Sequence, residues 1–179
     1  MQIQDMTENL FNKEMQRLLS DIEISLNKFK KAGQVTFKPT PKGGLPFPFA
    51  VEIQKLWQYA IGEGKKPANM QAIINDLEAL LWGTVAGNAP STPNSWHNEP
   101  LGFMVKLVLT REKLDAGADL NGAELADLSG FTLSRITQIC RSGKMEGASQ
   151  TTTRSKNSRP QWAIPATTAR KFIKKQGRK

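Results

Sequence analysis

The sequence predicts a mainly α-helical protein, with a helical N-terminal region and a basic C-terminal domain that carries a small β-hairpin. Apolar residues recur at helical spacing over long segments of the chain. A stretch rich in proline and small polar residues interrupts them at 86–100, and positive charge is concentrated beyond it. We therefore expect a helical region at 1–85, a linker at 86–100 and a separate domain at 101–179.

Four amphipathic helices are predicted from apolar residues three or four positions apart. They lie at about residues 7–31, 49–61, 69–82 and 101–114. The buried side of the third helix is predicted to carry Ile73, Ile74, Leu77, Leu80 and Leu81. Gly33 and Gly117 suit the ends of the first and fourth helices, because glycine tolerates the left-handed conformation common there. Four prolines within 34–48 predict a loop after the first helix.

Charge is distributed unevenly along the chain. Residues 130–179 contain 12 Lys or Arg residues and one acid, Glu146, whereas residues 1–129 contain 13 basic and 15 acidic residues. A strongly basic end favours a polyanionic partner such as nucleic acid. A solubilising basic tail is the alternative interpretation, and charge alone does not identify the polyanion.

Composition argues against several function classes. No apolar run approaches the roughly 18 residues that a membrane span requires, and the N-terminus lacks the apolar core of a signal peptide. A single cysteine, Cys140, and a single histidine, His97, leave no disulfide framework or cysteine-based zinc site. The sequence shows no nucleophilic side chain paired with a general base, as a catalytic site of that kind would require. We therefore expect a cytoplasmic, nucleoid-associated protein that is not an enzyme and uses no metal or cofactor.

The stretch from Gly122 to Arg141, GAELADLSGFTLSRITQICR, has the spacing of a helix-turn-helix. This motif needs a small residue where its helices cross, a turn residue that tolerates a positive φ, and apolar residues between the helices. Counted from Gly122, the matching positions are Leu125, Ala126 at the close crossing, Gly130 in the turn, Phe131, Ile136 and Ile139. Ser129 is the weak match. An ordinary helical hairpin of the core is the alternative.

The second helix of this motif, Thr132 to Ser142, is predicted to expose a polar face. Leu133, Ile136, Ile139 and Cys140 would then point inward. Arg can pair with guanine, Gln with adenine, and Thr with a base edge or the thymine methyl group. The opposite face contains no acid, and a merely solvated surface is the alternative. The residues assigned to DNA contact are Thr132, suited to the N-cap, and Ser134, Arg135, Thr137, Gln138 and Arg141.

A basic hairpin and a closing helix follow. Residues 143–148 are expected to end the second helix and start a strand, and a strand with Trp162 and Ile164 on one face is expected to return. The polar tip between them is too poor in apolar residues to pack. A helix at about 166–175 closes the domain. The basic residues assigned to DNA contact here are Lys144, Arg154, Lys156, Arg159, Lys171, Lys174 and Lys175.

Beyond the first helix of the motif, the chain runs through the SGFT turn, a second helix, SGKM, a basic loop, RPQWAIP and a helix with ARKFI. This order resembles the winged helix-turn-helix of excisionases and MerR-like regulators. The resemblance covers about residues 120–175. It implies that the second helix lies in the major groove of double-stranded DNA. It also implies a wing, here with Arg154, Lys156 and Arg159, on the backbone or in the minor groove.

These observations predict a sequence-specific double-stranded DNA-binding protein, a transcriptional regulator of prokaryotic, phage or plasmid type. The alternative is a nucleic-acid-binding subunit or scaffold of a larger complex for recombination, plasmid maintenance or defence. Such a subunit would dock a protein partner through its N-terminal helices. The first helix either belongs to the core or forms a homodimer, which would present two recognition helices to half-sites about 34 Å apart.

Overall fold

In a computed structural model of the protein, the described residues are 1–30, 40–82, 93–151 and 161–176. Within them the helices are α1 (Glu8–Lys30), α2 (Pro48–Ile61), α3 (Met70–Trp82), α4 (Pro100–Asp115), α5 (Gly122–Ser129), α6 (Leu133–Arg141) and α7 (Ala166–Gln176). The strands are β1 (Leu120–Asn121), β2 (Ser149–Thr151) and β3 (Gln161–Ile164), which form one antiparallel sheet. The predicted mainly helical fold is therefore confirmed, together with a small sheet.

The helix bounds follow local signals in the sequence. Pro48 begins α2, where proline removes no hydrogen bond because the first backbone N–H groups of a helix have no internal partner. Gly62 ends α2 with φ of 88°, and Gly117 follows α4 with φ of 81°. Beyond α4, the Ala118 N–H donates to the Lys113 carbonyl at 3.1 Å. The C-cap prediction for Gly117 is thus confirmed, whereas Gly33 lies outside the described residues.

The chain divides into two compact units. The N-terminal unit comprises Met1 and Asp5–Val105, and the C-terminal unit comprises Gln2–Gln4 and Lys106–Lys179. The division falls inside α4, between Val105 and Lys106. Part of the predicted linker is helical: Asn94–Asn98 forms a 3-10 helix in which Trp96 is 1% exposed. The linker residues 86–92 lie outside the described part of the chain.

In the N-terminal unit, α1, α2 and α3 share one apolar core. Phe11 of α1 and Trp57 of α2 are buried with their ring centroids 5.4 Å apart. The α3 residues Ile73, Ile74 and Leu77 are buried as predicted. Leu80 was predicted on the same side but is 43% exposed, because the partner elements cover less of the last turn of α3.

In the C-terminal unit, β3 is the central strand of the sheet, between β1 and β2. Ala163 of β3 pairs with Ser149 of β2 on one side and with Asn121 of β1 on the other. Residues 143–148 were predicted to end α6 and start a strand, and β2 begins immediately after them, at Ser149. Gly143 and Gly147 both adopt positive φ, near 71° and 72°, and the turn they form buries Met145. β1 was not predicted, since two residues are too few to show a strand period.

Candidate nucleic-acid interface

Two short helices, α5 and α6, meet through a three-residue turn. Gly130 adopts φ of 70° at the end of α5, as the turn position was predicted to require. Thr132 caps α6, since its hydroxyl oxygen accepts from the Arg135 N–H at 3.2 Å. Ser129 fits despite its polarity, because its hydroxyl donates to the Leu125 carbonyl at 2.6 Å. Residues within the turn and next to it therefore determine where α5 ends and where α6 begins.

The start of α5 is fixed by a reciprocal pair of side-chain hydrogen bonds. The Asn121 side-chain oxygen accepts from the Ala123 and Glu124 N–H groups, each at 2.9 Å. A Glu124 carboxylate oxygen accepts from the Asn121 N–H at 2.6 Å, and Lys113 donates to the same carboxylate at 2.8 Å. These contacts satisfy N–H groups that have no partner inside the helix. Asparagine is one of the residue types that a helix N-cap favours, so this cap can be recognised in the sequence.

Replacing Asn121 with Ala is expected to lower the free energy of unfolding by about 1 kcal/mol, because two N–H groups of α5 lose their acceptor. Chemical denaturation followed by circular dichroism measures the change. Asn121→Ser is the matched control, since a serine oxygen can accept the same bonds and should retain most of the stability. Equal losses in the two variants would show that the cap oxygen is unimportant.

Ile136 and Cys140 form the buried side of α6, at 0% and 5% exposed, and Ile139 is half-buried. Burial raises the pKa of the Cys140 thiol, which keeps it protonated at neutral pH. The predicted inward position of Leu133 is wrong, since this side chain is 52% exposed. Leu133 is the first residue of α6, at the edge of the α5 contact, where only part of its side chain can be covered.

α5 packs closely against α6 at Gly122. A Cβ atom on Gly122 would stand 3.3 Å from Leu133 Cδ1 and 3.9 Å from Ile136 Cγ2. Ala126, which was predicted at the crossing, is buried at 6% exposed. From the sequence alone, Gly122 is only the start of the motif, and its role in packing is not predicted.

The outward face of α6 contains the polar side chains assigned from sequence. Thr137 is half-buried and the others are exposed: Thr132, Ser134, Arg135, Gln138 and Arg141. Arg135 donates to the Gln138 side-chain oxygen at 2.7 Å, which aligns the two groups along one side of the helix. A shallow, open depression on this face is lined by Leu133, Ser134, Thr137, Gln138 and Arg141. No acidic residue lies on α6.

Further basic residues assigned from the sequence follow α6 along the chain. Lys144, Lys171, Lys174 and Lys175 are exposed. Arg154, Lys156 and Arg159 lie outside the described residues. Arg170, which was not assigned a role, donates to the carbonyls of Leu114 at 2.5 Å and Asp115 at 3.2 Å. It therefore satisfies the end of α4, a common role for arginine at a helix C-terminus.

The acids of α5 are paired with lysines of α4. Lys106 Nζ lies 2.6 Å from Asp127 Oδ2, and Lys113 Nζ lies 2.8 Å from Glu124 Oε2. Opposite charges this close cancel much of each other's field at longer range. The negative charge of α5 therefore opposes the basic character of the neighbouring α6 only weakly.

Gln4 contacts the turn between α5 and α6. Its side-chain amide donates to the Gly130 carbonyl at 3.3 Å. Gln4 belongs to the C-terminal unit, although it lies 126 residues before Gly130 in the sequence. No local pattern in the sequence predicts such a contact, so it was not expected.

The N-terminal unit has a concave surface of its own, with a volume of about 470 Å³. Trp82 and Trp96 lie in its wall, with ring centroids 6.5 Å apart in an edge-to-face arrangement. Ile24 and Leu80, also in the wall, are 55% and 43% exposed. This surface combines exposed apolar side chains with a concave shape and was not predicted from sequence.

The described part of the chain contains neither a metal-binding cluster nor a membrane-spanning helix. No three His, Cys, Asp or Glu side chains there come together as a metal site requires. None of the helices described combines the length and apolar character needed to cross a membrane. His97 is exposed, and its Nδ1 lies 3.4 Å from the Gly102 carbonyl oxygen.

No family model matches the chain, and neither the curated proteins nor the solved structures contain a match to it. The resemblance to excisionases and MerR-like regulators therefore stays a prediction.

Proposed function

We propose that this chain binds double-stranded DNA through a winged helix-turn-helix formed by α5, α6 and the hairpin of β2 and β3. The observation that carries the proposal is the division of α6 into two faces. One face is buried against the unit through Ile136 and Cys140, and the other exposes polar and basic side chains without an acid. A helix of this kind can enter the major groove, where base edges present donors and acceptors.

Arg135 and Gln138 are the residues proposed to recognise bases. Both are exposed and joined by the 2.7 Å hydrogen bond, so their planar ends are aligned before DNA arrives. A good bidentate contact between such a side chain and a base discriminates by about 1–3 kcal/mol. Lys144 and the lysines of α7 supply the phosphate contacts in this proposal, together with Arg154, Lys156 and Arg159, which lie outside the described residues.

The biological role proposed is that of a transcriptional regulator of prokaryotic, phage or plasmid type, acting as a DNA-binding protein and not as an enzyme. The two-helix motif, the adjacent hairpin and the basic C-terminal end support this role. A homodimer is part of the proposal, because a single short recognition helix contacts few bases and two copies multiply affinity. A palindromic target site would establish the dimer.

The test is selection of the purified protein against random duplex DNA at physiological salt with competitor. We expect one enriched sequence motif. Arg135→Ala and Gln138→Ala should each weaken binding to that motif by about 5- to 150-fold, the factor equivalent to about 1–3 kcal/mol, while weak general binding persists. Lys55→Ala is the control, because it removes one exposed positive charge in the N-terminal unit. Absence of any DNA binding would refute the proposal.

A second candidate function is a nucleic-acid-binding subunit that docks a protein partner through its N-terminal helices. The observation that favours it is the concave apolar surface with exposed Ile24 and Leu80. The same selection separates the two functions. Salt-sensitive binding to every duplex without an enriched motif would favour the subunit, since phosphate contacts alone carry no sequence information.

A further inference from the structure

Leu133 is an apolar side chain on the exposed polar face of α6. It is 52% exposed, whereas Ile136, one turn further on, is 0% exposed. An isolated exposed leucine is ordinary on a protein surface. Leu133, however, lies beside Thr137, four residues on, and lines the same depression as Gln138 and Arg141. Its exposed half is therefore part of the surface proposed to meet DNA.

The inner half of the same side chain is held in place. Leu133 Cδ1 stands 3.3 Å from where a Gly122 Cβ would lie, so this methyl packs against the backbone of α5. Thr132 caps the helix immediately before it. A side chain fixed on one side and exposed on the other loses little conformational freedom when a ligand covers its exposed half.

We infer that Leu133 recognises a thymine by contact with its 5-methyl group. The thymine methyl is the apolar group that base pairs present in the major groove, and an apolar side chain is its natural partner. The first residues of a recognition helix are those that reach base edges. The inference rests on the proposed DNA-binding function and adds a thymine-specific contact to the hydrogen bonds of Arg135 and Gln138.

The test uses the duplex obtained by selection. Each thymine is replaced in turn by deoxyuridine, which removes the methyl group and leaves the base-pairing hydrogen bonds intact. At one position the affinity of the unsubstituted protein should fall roughly fourfold, the factor expected for one buried methyl group. Leu133→Ala should bind the thymine and deoxyuridine duplexes equally at that position.

Two variants keep this result interpretable. Leu109→Ala removes a comparably exposed leucine from α4, 43% exposed, and should retain the fourfold preference for thymine. Leu133→Met keeps an apolar side chain and should retain most of that preference. The ratio of the two affinities is measured on one protein preparation, so any loss of folded protein cancels.

The outcomes separate the inference from the function on which it rests. If a motif is selected but no thymine shows a methyl effect that depends on Leu133, the inference is overturned and the proposed function stands. If no motif is selected, the proposed sequence-specific function is overturned and the inference with it.

Discussion

Replacing Ile136 with Ala is expected to lower the free energy of unfolding of the C-terminal unit by about 2–5 kcal/mol. Ile136 is 0% exposed and its Cγ2 faces Gly122 across the α5–α6 contact. The substitution removes buried methyl groups and leaves a cavity, because the short turn at Gly130 limits how far α6 can move inward. Chemical denaturation followed by circular dichroism measures the loss.

The same helix offers the control for this prediction. Leu133→Ala also shortens an apolar side chain on α6, but half of the Leu133 side chain is already exposed. Its cost should therefore stay below about 1.5 kcal/mol, since less apolar area returns to water. Similar losses in the two variants would mean that α6 does not pack as described. Ile136→Ala should also reduce sequence-specific DNA binding, because α6 would no longer be held in one orientation.

The helices and their ends could be predicted because the information for them is local. The 3.6-residue period of apolar side chains places the starts of α1 to α4, and the ends of α2 and α4, within about one residue of their observed positions. Gly130, Thr132 and Asn121 act on N–H groups and backbone angles within three residues of themselves. Such signals can be recognised in a sequence before any tertiary contact is known.

The remaining features depend on which distant segments meet. The Gln4 contact with Gly130 joins residues far apart in the chain, and β1 exists only because β3 returns beside it. Leu133 carries the right hydrophobicity and spacing for the core, yet its position at the start of α6 leaves half of it uncovered. Periodicity identifies the side of a helix that faces inward, but the neighbouring elements decide how many turns are covered.

In the N-terminal unit, the burial of Trp96 likewise depends on segments that its local sequence does not identify. The surrounding residues, PNSWHNEP, have the composition of a linker and were predicted to belong to one. The side chain is nevertheless 1% exposed, with its ring 6.5 Å from that of Trp82. A single large aromatic residue can fix a polar segment to a core, because one buried indole removes a large apolar area from water. Its partner surface, however, is set by other parts of the chain.

Gly102 of α4 allows this packing to be tested. A Cβ atom at position 102 would lie against the Trp96 backbone, within 2.6 Å of its carbonyl carbon and closer still to its oxygen. That backbone is constrained, because the Trp96 carbonyl accepts from the Glu99 N–H at 2.8 Å. Gly102→Ala is therefore expected to lower the free energy of unfolding of the N-terminal unit by about 3 kcal/mol, the upper end of the usual cost of overpacking.

The sign of this effect decides between packing and helix propensity. Alanine in a helix is favoured over glycine by about 1 kcal/mol. If Trp96 did not pack against position 102, Gly102→Ala would therefore raise the free energy of unfolding. Gly44→Ala is the control within the same unit: it has φ of 80° and nothing within 4 Å, so only backbone strain of about 1 kcal/mol is expected. Thermal unfolding together with tryptophan fluorescence follows both variants. A stabilised Gly102→Ala with unchanged fluorescence would show that Trp96 does not pack against α4.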